Sequence, residues 1–228
     1  MPATPQLLGR IRSVQAGRAQ RHGTRGADDP LQRPWRSAFF KNPLPGEVTI
    51  TPQGVEGDEQ ADRKHHGGPD QALLMYSGDH FPLWESQHRL EGLSGGGFGE
   101  NLTIDGSTEA DICLGDALRF GSVVARVSQP RYPCANINRR WGRRGIAEAV
   151  GETGRSGWYL SVVEPGKVSA GDELLLVERP WPGLTVALAN DALFGRLDDR
   201  EALERLIAYP GWRESFRTSV AKHLASLG

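Results

Sequence analysis

The amino-acid sequence predicts a mainly β fold, a closed or nearly closed barrel or a sandwich, followed by a small C-terminal domain of three helices. Three observations lead there. In 228 residues, 29 glycines and 15 prolines are spread along the chain rather than clustered, which is the punctuation of many short strands joined by turns. Between the turns lie short apolar runs, several of them alternating. Beyond Pro180-Trp181-Pro182-Gly183 the apolar spacing changes to the three and four residues of amphipathic helices.

In chain order, the strands are expected at Val48–Thr51, Ala72–Tyr76, Leu102–Ile104, Ala117–Phe120, Val123–Ser128, Trp158–Val163 and Glu173–Glu178. Turn signals separate them, among them Asp105-Gly106, Gly115-Asp116, Pro165-Gly166 and Gly171-Asp172. Short helices are expected at His80–Arg89 and Ile146–Val150. Gln15–Arg36 is rich in Arg, Gly and Asp and nearly free of aliphatic residues, so it reads as a loop, with a lid or substrate entry as its functional reading. In the tail, Val186, Ala189 and Leu193 share a face, and Asp198 with Glu201 opens a second helix carrying Leu203, Leu206 and Ile207. Pro210-Gly211 breaks it, after which Trp212, Phe216, Val220 and Leu224 recur every four residues. The boundary falls in Arg179–Leu184, giving domains 1–182 and 183–228. Three short helices are marginal alone, so the tail is expected to dock on the barrel.

Composition narrows the function. Lys+Arg number 27 and Asp+Glu 28, a net charge of −1, so no basic excess is available to track a nucleic-acid polymer. No apolar run approaches the ~20 residues of a membrane span, and the first residues are too short and polar for a secretory leader. A cytoplasmic protein is the expectation, as a monomer or homodimer. With only Cys113 and Cys134 present, neither a disulfide framework nor a four-cysteine zinc site can form.

Cys134 is the first candidate for chemistry. It lies in Ser128-Gln129-Pro130-Arg131-Tyr132-Pro133-Cys134-Ala135-Asn136, where an alternating strand runs out into a loop stiffened by two prolines. Arg131 brings a permanent positive charge, which favours the thiolate, the form that is nucleophile and metal ligand. The plain alternative is a small buried hydrophobe, and that reading is preferred for Cys113 among apolar neighbours. The segment Asp62-Arg63-Lys64-His65-His66-Gly67-Gly68-Pro69-Asp70 places a basic cluster against two glycines, where backbone N–H groups can approach an anion. Adjacent histidines on an extended chain point apart and do not form a zinc pair. Gly95-Gly96-Gly97-Phe98-Gly99 leads into a strand and lacks the dinucleotide-binding spacing. No phosphate-binding P-loop occurs. One activated thiol and an anion-friendly surface suit a protein whose chemistry comes from an anionic cofactor.

Several motifs, in order, resemble one family. They are Lys41-x-Pro43-x-x-Gly46, Gly54-x-x-Gly57-Asp58-x-x-Ala61-Asp62, His66-Gly67-Gly68-Pro69-Asp70-x-Ala72, Phe98-Gly99-Glu100-Asn101-Leu102, Gly115-Asp116, Gln129-Pro130-Arg131-x-Pro133-Cys134 and Gly154-Arg155-Ser156-Gly157-Trp158-Tyr159. The set is similar to the MOSC domain, the C-terminal domain of molybdenum cofactor sulfurases, in its short bacterial YiiM-like branch, and covers residues 5–226. The resemblance implies a MOSC-type β-barrel with a few short helices and a three-helix tail. It further implies a molybdenum–pyranopterin cofactor with Cys134 as metal ligand, and reduction of N-hydroxylated compounds such as 6-hydroxylaminopurine. Lys41, Arg63, His65, His66, Gly67 and Arg131 are then candidates to hold the cofactor's phosphate end, Asn101 and Asn136 to hydrogen-bond pterin or substrate, and His66 and Asp70 to deliver protons. No flavin, haem or iron–sulfur motif is present, so electrons are expected from a separate reductase protein. A sulfur or cofactor carrier using a Cys134 persulfide or thiolate is the alternative. Pyridoxal phosphate is disfavoured, because only Lys41, Lys64, Lys167 and Lys222 could form its Schiff base.

Overall fold

The structure, a computed structural model, describes residues 5–61 and 67–228. Its elements are β1 (Gln6–Ala16), β2 (Gln20–His22), β3 (Trp35–Ser37), β4 (Asn42–Pro43), β5 (Val48–Thr51), β6 (Gly54–Val55), β7 (Leu73–Ser77), α1 (Phe81–His88) and β8 (Leu102–Asp105). They continue with β9 (Ala117–Phe120), β10 (Val123–Pro130), α2 (Asn136–Trp141), α3 (Ile146–Thr153), β11 (Trp158–Glu164), β12 (Gly166–Val168) and β13 (Glu173–Glu178). The chain ends in α4 (Val186–Leu193), α5 (Arg200–Ala208) and α6 (Glu214–Ser226).

Seven strands run in the order β13-β9-β10-β11-β7-β8-β1, and β1 pairs back onto β13, so the sheet closes. The barrel, not the sandwich, is therefore the architecture. Closure removes the free edges that would otherwise template aggregation. Every pairing in the ring is antiparallel except β7 with β8. A parallel pair needs a crossover, and residues 78–101 supply it with α1 and the glycine-rich loop. At Gly9 a Cβ atom would lie 2.0 Å from the Asp105 carbonyl oxygen, so only glycine lets β1 approach β8 there.

The barrel interior is filled by Ile11, Ile50, Leu73, Met75, Leu102, Ile104, Leu118, Val127, Trp158 and Leu160, all essentially inaccessible. The same apolar cluster continues into the tail through Leu184, Val186, Ala189, Leu203, Leu206, Tyr209 and Trp212. Main-chain bonds stitch the join: Leu114 N–H donates to Leu184 O at 2.8 Å and Val186 N–H to Ile112 O at 2.8 Å. Tyr209 adds a bond from its hydroxyl to Val127 O at 3.2 Å.

Two expectations change. Gln15–Arg36 is not a plain loop. Gln15 and Ala16 end the 11-residue β1, and β2 and β3 form a hairpin around a short helical turn that Asp29 caps by accepting from Leu31 N–H at 3.0 Å. Second, the loop expected at Cys134 is present but short: residues 131–134 are irregular, and α2, which the sequence did not suggest, starts at Asn136.

Candidate functional site

Where β10 ends, the chain passes through Tyr132-Pro133 into Cys134, whose carbonyl accepts the first bond of α2 from Ile137 N–H at 3.0 Å. The thiol is half-buried. It opens into a cavity of ≈ 120 Å³ whose wall includes Lys41, Asp58, Gly67, Asn101, Arg131 and Asn136, together with Phe39, Gln71, Gly99 and Tyr159. Six of the residues singled out from sequence (Lys41, Gly67, Asn101, Arg131, Cys134 and Asn136) thus share one wall.

Arg131 is 2% exposed. One guanidinium nitrogen, Nη2, donates to Phe98 O at 3.3 Å, and the ring of Phe39 lies 5.9 Å from the guanidinium carbon. The other, Nη1, is buried with no hydrogen-bond partner among the described residues. A buried, half-satisfied cation is costly unless something anionic completes it.

Glu100 fixes the loop that holds Arg131. Fully buried, its carboxylate accepts from Gly96 N–H at 2.6 Å, Phe98 N–H at 2.9 Å and the Thr103 hydroxyl at 3.1 Å. Burial raises its pKa, with those hydrogen bonds opposing the rise. Gly99, in the same loop, has φ +79°, and a Cβ there would meet the Phe39 ring at 2.8 Å.

Lys41 is not a free cation. Its ammonium is paired with Asp58 at 2.5 Å, and both side chains are nearly buried. Burial lowers its pKa, and the Asp58 charge works against that. Asp58 also accepts from Gly17 N–H at 2.7 Å and from the Asn101 amide at 2.9 Å. The Asn101 amide donates again to Gln15 O at 3.3 Å, while its oxygen accepts from Leu74 N–H at 3.2 Å. Asn101 is therefore largely committed to the protein, rather than free for pterin or substrate. Gly67 N–H is likewise taken by the Gln71 side chain at 3.0 Å.

Asp70, expected to deliver protons, is exposed and not part of the wall. The helical turn Pro69–Gln71 sends Gln71 inward and Asp70 outward. Arg63, His65 and His66 lie outside the described residues. Cys113 is buried, and that burial raises its thiol pKa. The sequence reading assigned no role to Asp58, Glu100 or Tyr159, although each stands in one of the motifs. A buried-pair role could not be read for Asp58, because its partner is 17 residues away.

Cys134 also lines a second, outer cleft of ≈ 550 Å³, bounded by Tyr132, Asn138, Ala147, Glu148, Phe194 and Arg196. Tyr132 stacks on Phe194 of the tail at 5.3 Å. Among the described residues, no group of three or more His, Cys, Asp and Glu could hold a metal, and no helix is long and apolar enough to cross a membrane.

The family model of the MOSC domain matches residues 62–175. The chain is 39% identical over 192 residues to Protein YiiM of Escherichia coli, covering 83% of this chain and 85% of that protein. It is 35% identical over 153 residues to a protein named Reductase from Gibberella moniliformis, covering 66% of this chain but 27% of the fungal protein. The crystal structure of YiiM from Geobacillus stearothermophilus superposes with a TM-score of 0.75 at 29% identity, over 94% of this chain and 98% of that one.

Proposed function

The chain belongs to the MOSC domain family, a family associated with the molybdenum cofactor, and on that premise we propose that it is a molybdenum-dependent reductase of N-hydroxylated compounds. Purine bases such as 6-hydroxylaminopurine are the substrate class. The observation that carries this reading is the pairing, in one wall, of a reachable thiol with a buried guanidinium whose Nη1 has no partner among the described residues.

The residues present fit the cofactor. A soft thiolate suits a thiol-accepting metal, and with no other cluster of metal-binding side chains among the described residues, the remaining ligands would come with the pyranopterin. Arg131 Nη1 offers a charge-assisted hydrogen bond to an anionic group. Cys134 would hold the metal, with Arg131 and Asn136 orienting the organic part. When bound, the cofactor supplies the two-electron chemistry.

The net reaction cleaves the N–O bond of a hydroxylamine, consuming two electrons and two protons and releasing the amine and water. The chain's own residues supply the proton-bearing wall. Tyr159 keeps its proton because burial raises its pKa, with the nearby Arg131 charge opposing that rise and Cys134 adding to it. The Lys41 ammonium is the second proton-bearing group, held in place by Asp58. The electrons come from a separate donor protein.

Molybdenum and pterin content should be compared between the wild type and Cys134→Ala, both purified from a host that makes the cofactor. Near-stoichiometric molybdenum in the wild type, lost in the variant, supports the reading. Molybdenum in neither protein removes it. The carrier reading keeps one observation in its favour, since Cys134 also faces the outer cleft, where a persulfide would be reachable by an acceptor. Cyanolysable sulfur on a molybdenum-free protein would put that reading first.

A further inference from the structure

The whole chain carries a net charge of −1, yet its arginines are not spread evenly. Arg18, Arg21, Arg25, Arg33 and Arg36 lie on and around the hairpin β2–β3, where the acids within the segment are Asp28 and Asp29 and the one bonded to it from outside is Glu59, which accepts from Ala19 N–H at 2.9 Å. Arg139, Arg140, Arg143 and Arg144 follow on α2 and the turn after it, a stretch (135–145) without a single acidic residue.

These two segments form one face. Arg144 meets Asp29 at 3.3 Å, Arg139 lies over the Trp35 ring at 5.2 Å, and Arg140 lies over Phe40 at 4.9 Å. His22 stacks on Phe40 at 4.3 Å and sits 5.2 Å from Trp35, so an aromatic layer supports the arginines from beneath. Among the described residues, the Arg144–Asp29 contact is the sole ion pair these arginines make. Arg33 and Arg143 donate to main-chain carbonyls, of Ala27 and Asp28 and of His88 and Arg89, and Arg140 lies within the field of the buried Glu100, while Arg18, Arg21, Arg25 and Arg36 make no ion pair among the described residues. The patch also borders the cavity, because Arg36 stands in its wall and α2 starts two residues after Cys134.

We infer that this arginine face is the docking surface for an acidic electron-donor protein. The inference rests on the reductase reading, since it is electron delivery to the cavity that gives the face its purpose. Redox encounters are weak, small and fast, and their rates are set by charge complementarity rather than by apolar burial. A cationic ring beside the cavity steers a negatively charged partner to the edge where electrons must enter. An extended polyanion fits less well, because the patch is local in an otherwise net acidic chain, with two aspartates inside it.

The test uses the full-length protein and two acidic probes, a plant-type ferredoxin and a flavodoxin. Their affinities are measured by surface plasmon resonance at low and moderate salt. The triple variant Arg21→Glu/Arg25→Glu/Arg144→Glu alters exposed residues outside the cavity wall, and its thermal unfolding is compared with that of the wild type. The expected result is binding of at least one probe by the wild type that weakens with salt and falls ~10-fold or more in the variant. Turnover driven by reduced methyl viologen, a small cationic donor, should be unchanged. Binding of neither probe, equal binding by variant and wild type, or tighter salt-dependent binding of a single-stranded oligonucleotide than of either protein overturns the inference. Absence of viologen-driven turnover in the wild type, with probe binding intact, instead counts against the reductase reading and leaves the docking face standing.

Discussion

Replacing Glu100 tests how the glycine-rich loop is held. In Glu100→Ala, the Gly96 and Phe98 N–H groups lose their acceptor inside a fully buried site. An unsatisfied buried donor costs ~1–3 kcal/mol, so two of them cost about 2–6 kcal/mol. The native carboxylate is itself buried against its preference, which offsets part of that loss. Glu100→Gln keeps one acceptor oxygen and presents an NH2 group where the other was, so it should lose ~1–3 kcal/mol. The expected order of urea midpoints at pH 7 is wild type, then Gln, then Ala. The pH dependence has a definite sign. Burial raises the folded pKa above the ordinary 4.5, so the folded state binds the proton more tightly than the unfolded chain does. The contribution is fully present below 4.5 and is lost as pH rises through the elevated value. Glu100→Gln should therefore abolish one component of falling stability on the alkaline side of 4.5, visible as a difference in slope between the two proteins. A Glu100→Ala midpoint within experimental error of wild type would refute the idea that this carboxylate holds the loop.

Removing Asp58 with Asp58→Ala strands the Lys41 ammonium in a buried site, and chemical denaturation should show a loss of ~3–5 kcal/mol, much of it relieved by adding Lys41→Met. Tyr209→Phe deletes the tail's bond to Val127 O and should cost ~1 kcal/mol. In the wild type, burial pushes the Tyr209 phenol up to about 12 from 10.0, so its contribution is complete below pH 10 and lost as pH climbs to about 12. Stability profiles of the two proteins should converge over that window. At Gly99, a methyl group must displace the Phe39 ring and adopt a positive φ. Gly99→Ala should thus lower the melting temperature and disturb the cavity wall, read as reduced molybdenum loading of the purified protein.

Much of the barrel was legible because its strands alternate cleanly between turns, as Val123, Ala125 and Val127 do. β1 escaped for a physical reason. Its buried residues Leu8, Ile11 and Val14 recur every three positions, because the register shifts between Leu7 and Gly9 and again between Ile11 and Ser13. Bulges erase the period of two on which recognition of a strand depends. The hairpin in Gln15–Arg36 was hidden by composition, its stability coming from stacking of His22, Trp35 and Phe40 across a segment poor in aliphatic residues. At the site, sequence brought out the residues that stand in the wall but not which are spent on one another. Nothing local in Asn101 or Lys41 reveals that Asp58 occupies both. Asp70 was misplaced because a single helical turn decides which of two neighbours faces inward.

The closing seam of the ring has a consequence for synthesis. Gln6 pairs with Leu176 and Arg10 with Glu173, so although β8 can cover one side of β1 earlier, the side facing β13 stays an open edge until nearly the whole barrel has been translated. Such an exposed strand invites pairing with other nascent chains. Of the charged residues on β1, Arg12 has its partner Asp105 as soon as β8 is made, whereas Arg10 meets Glu173 only once the ring has closed. Before then, the unpaired Arg10 charge repels the same strand in a neighbouring polypeptide, a safeguard during translation that the finished molecule no longer displays.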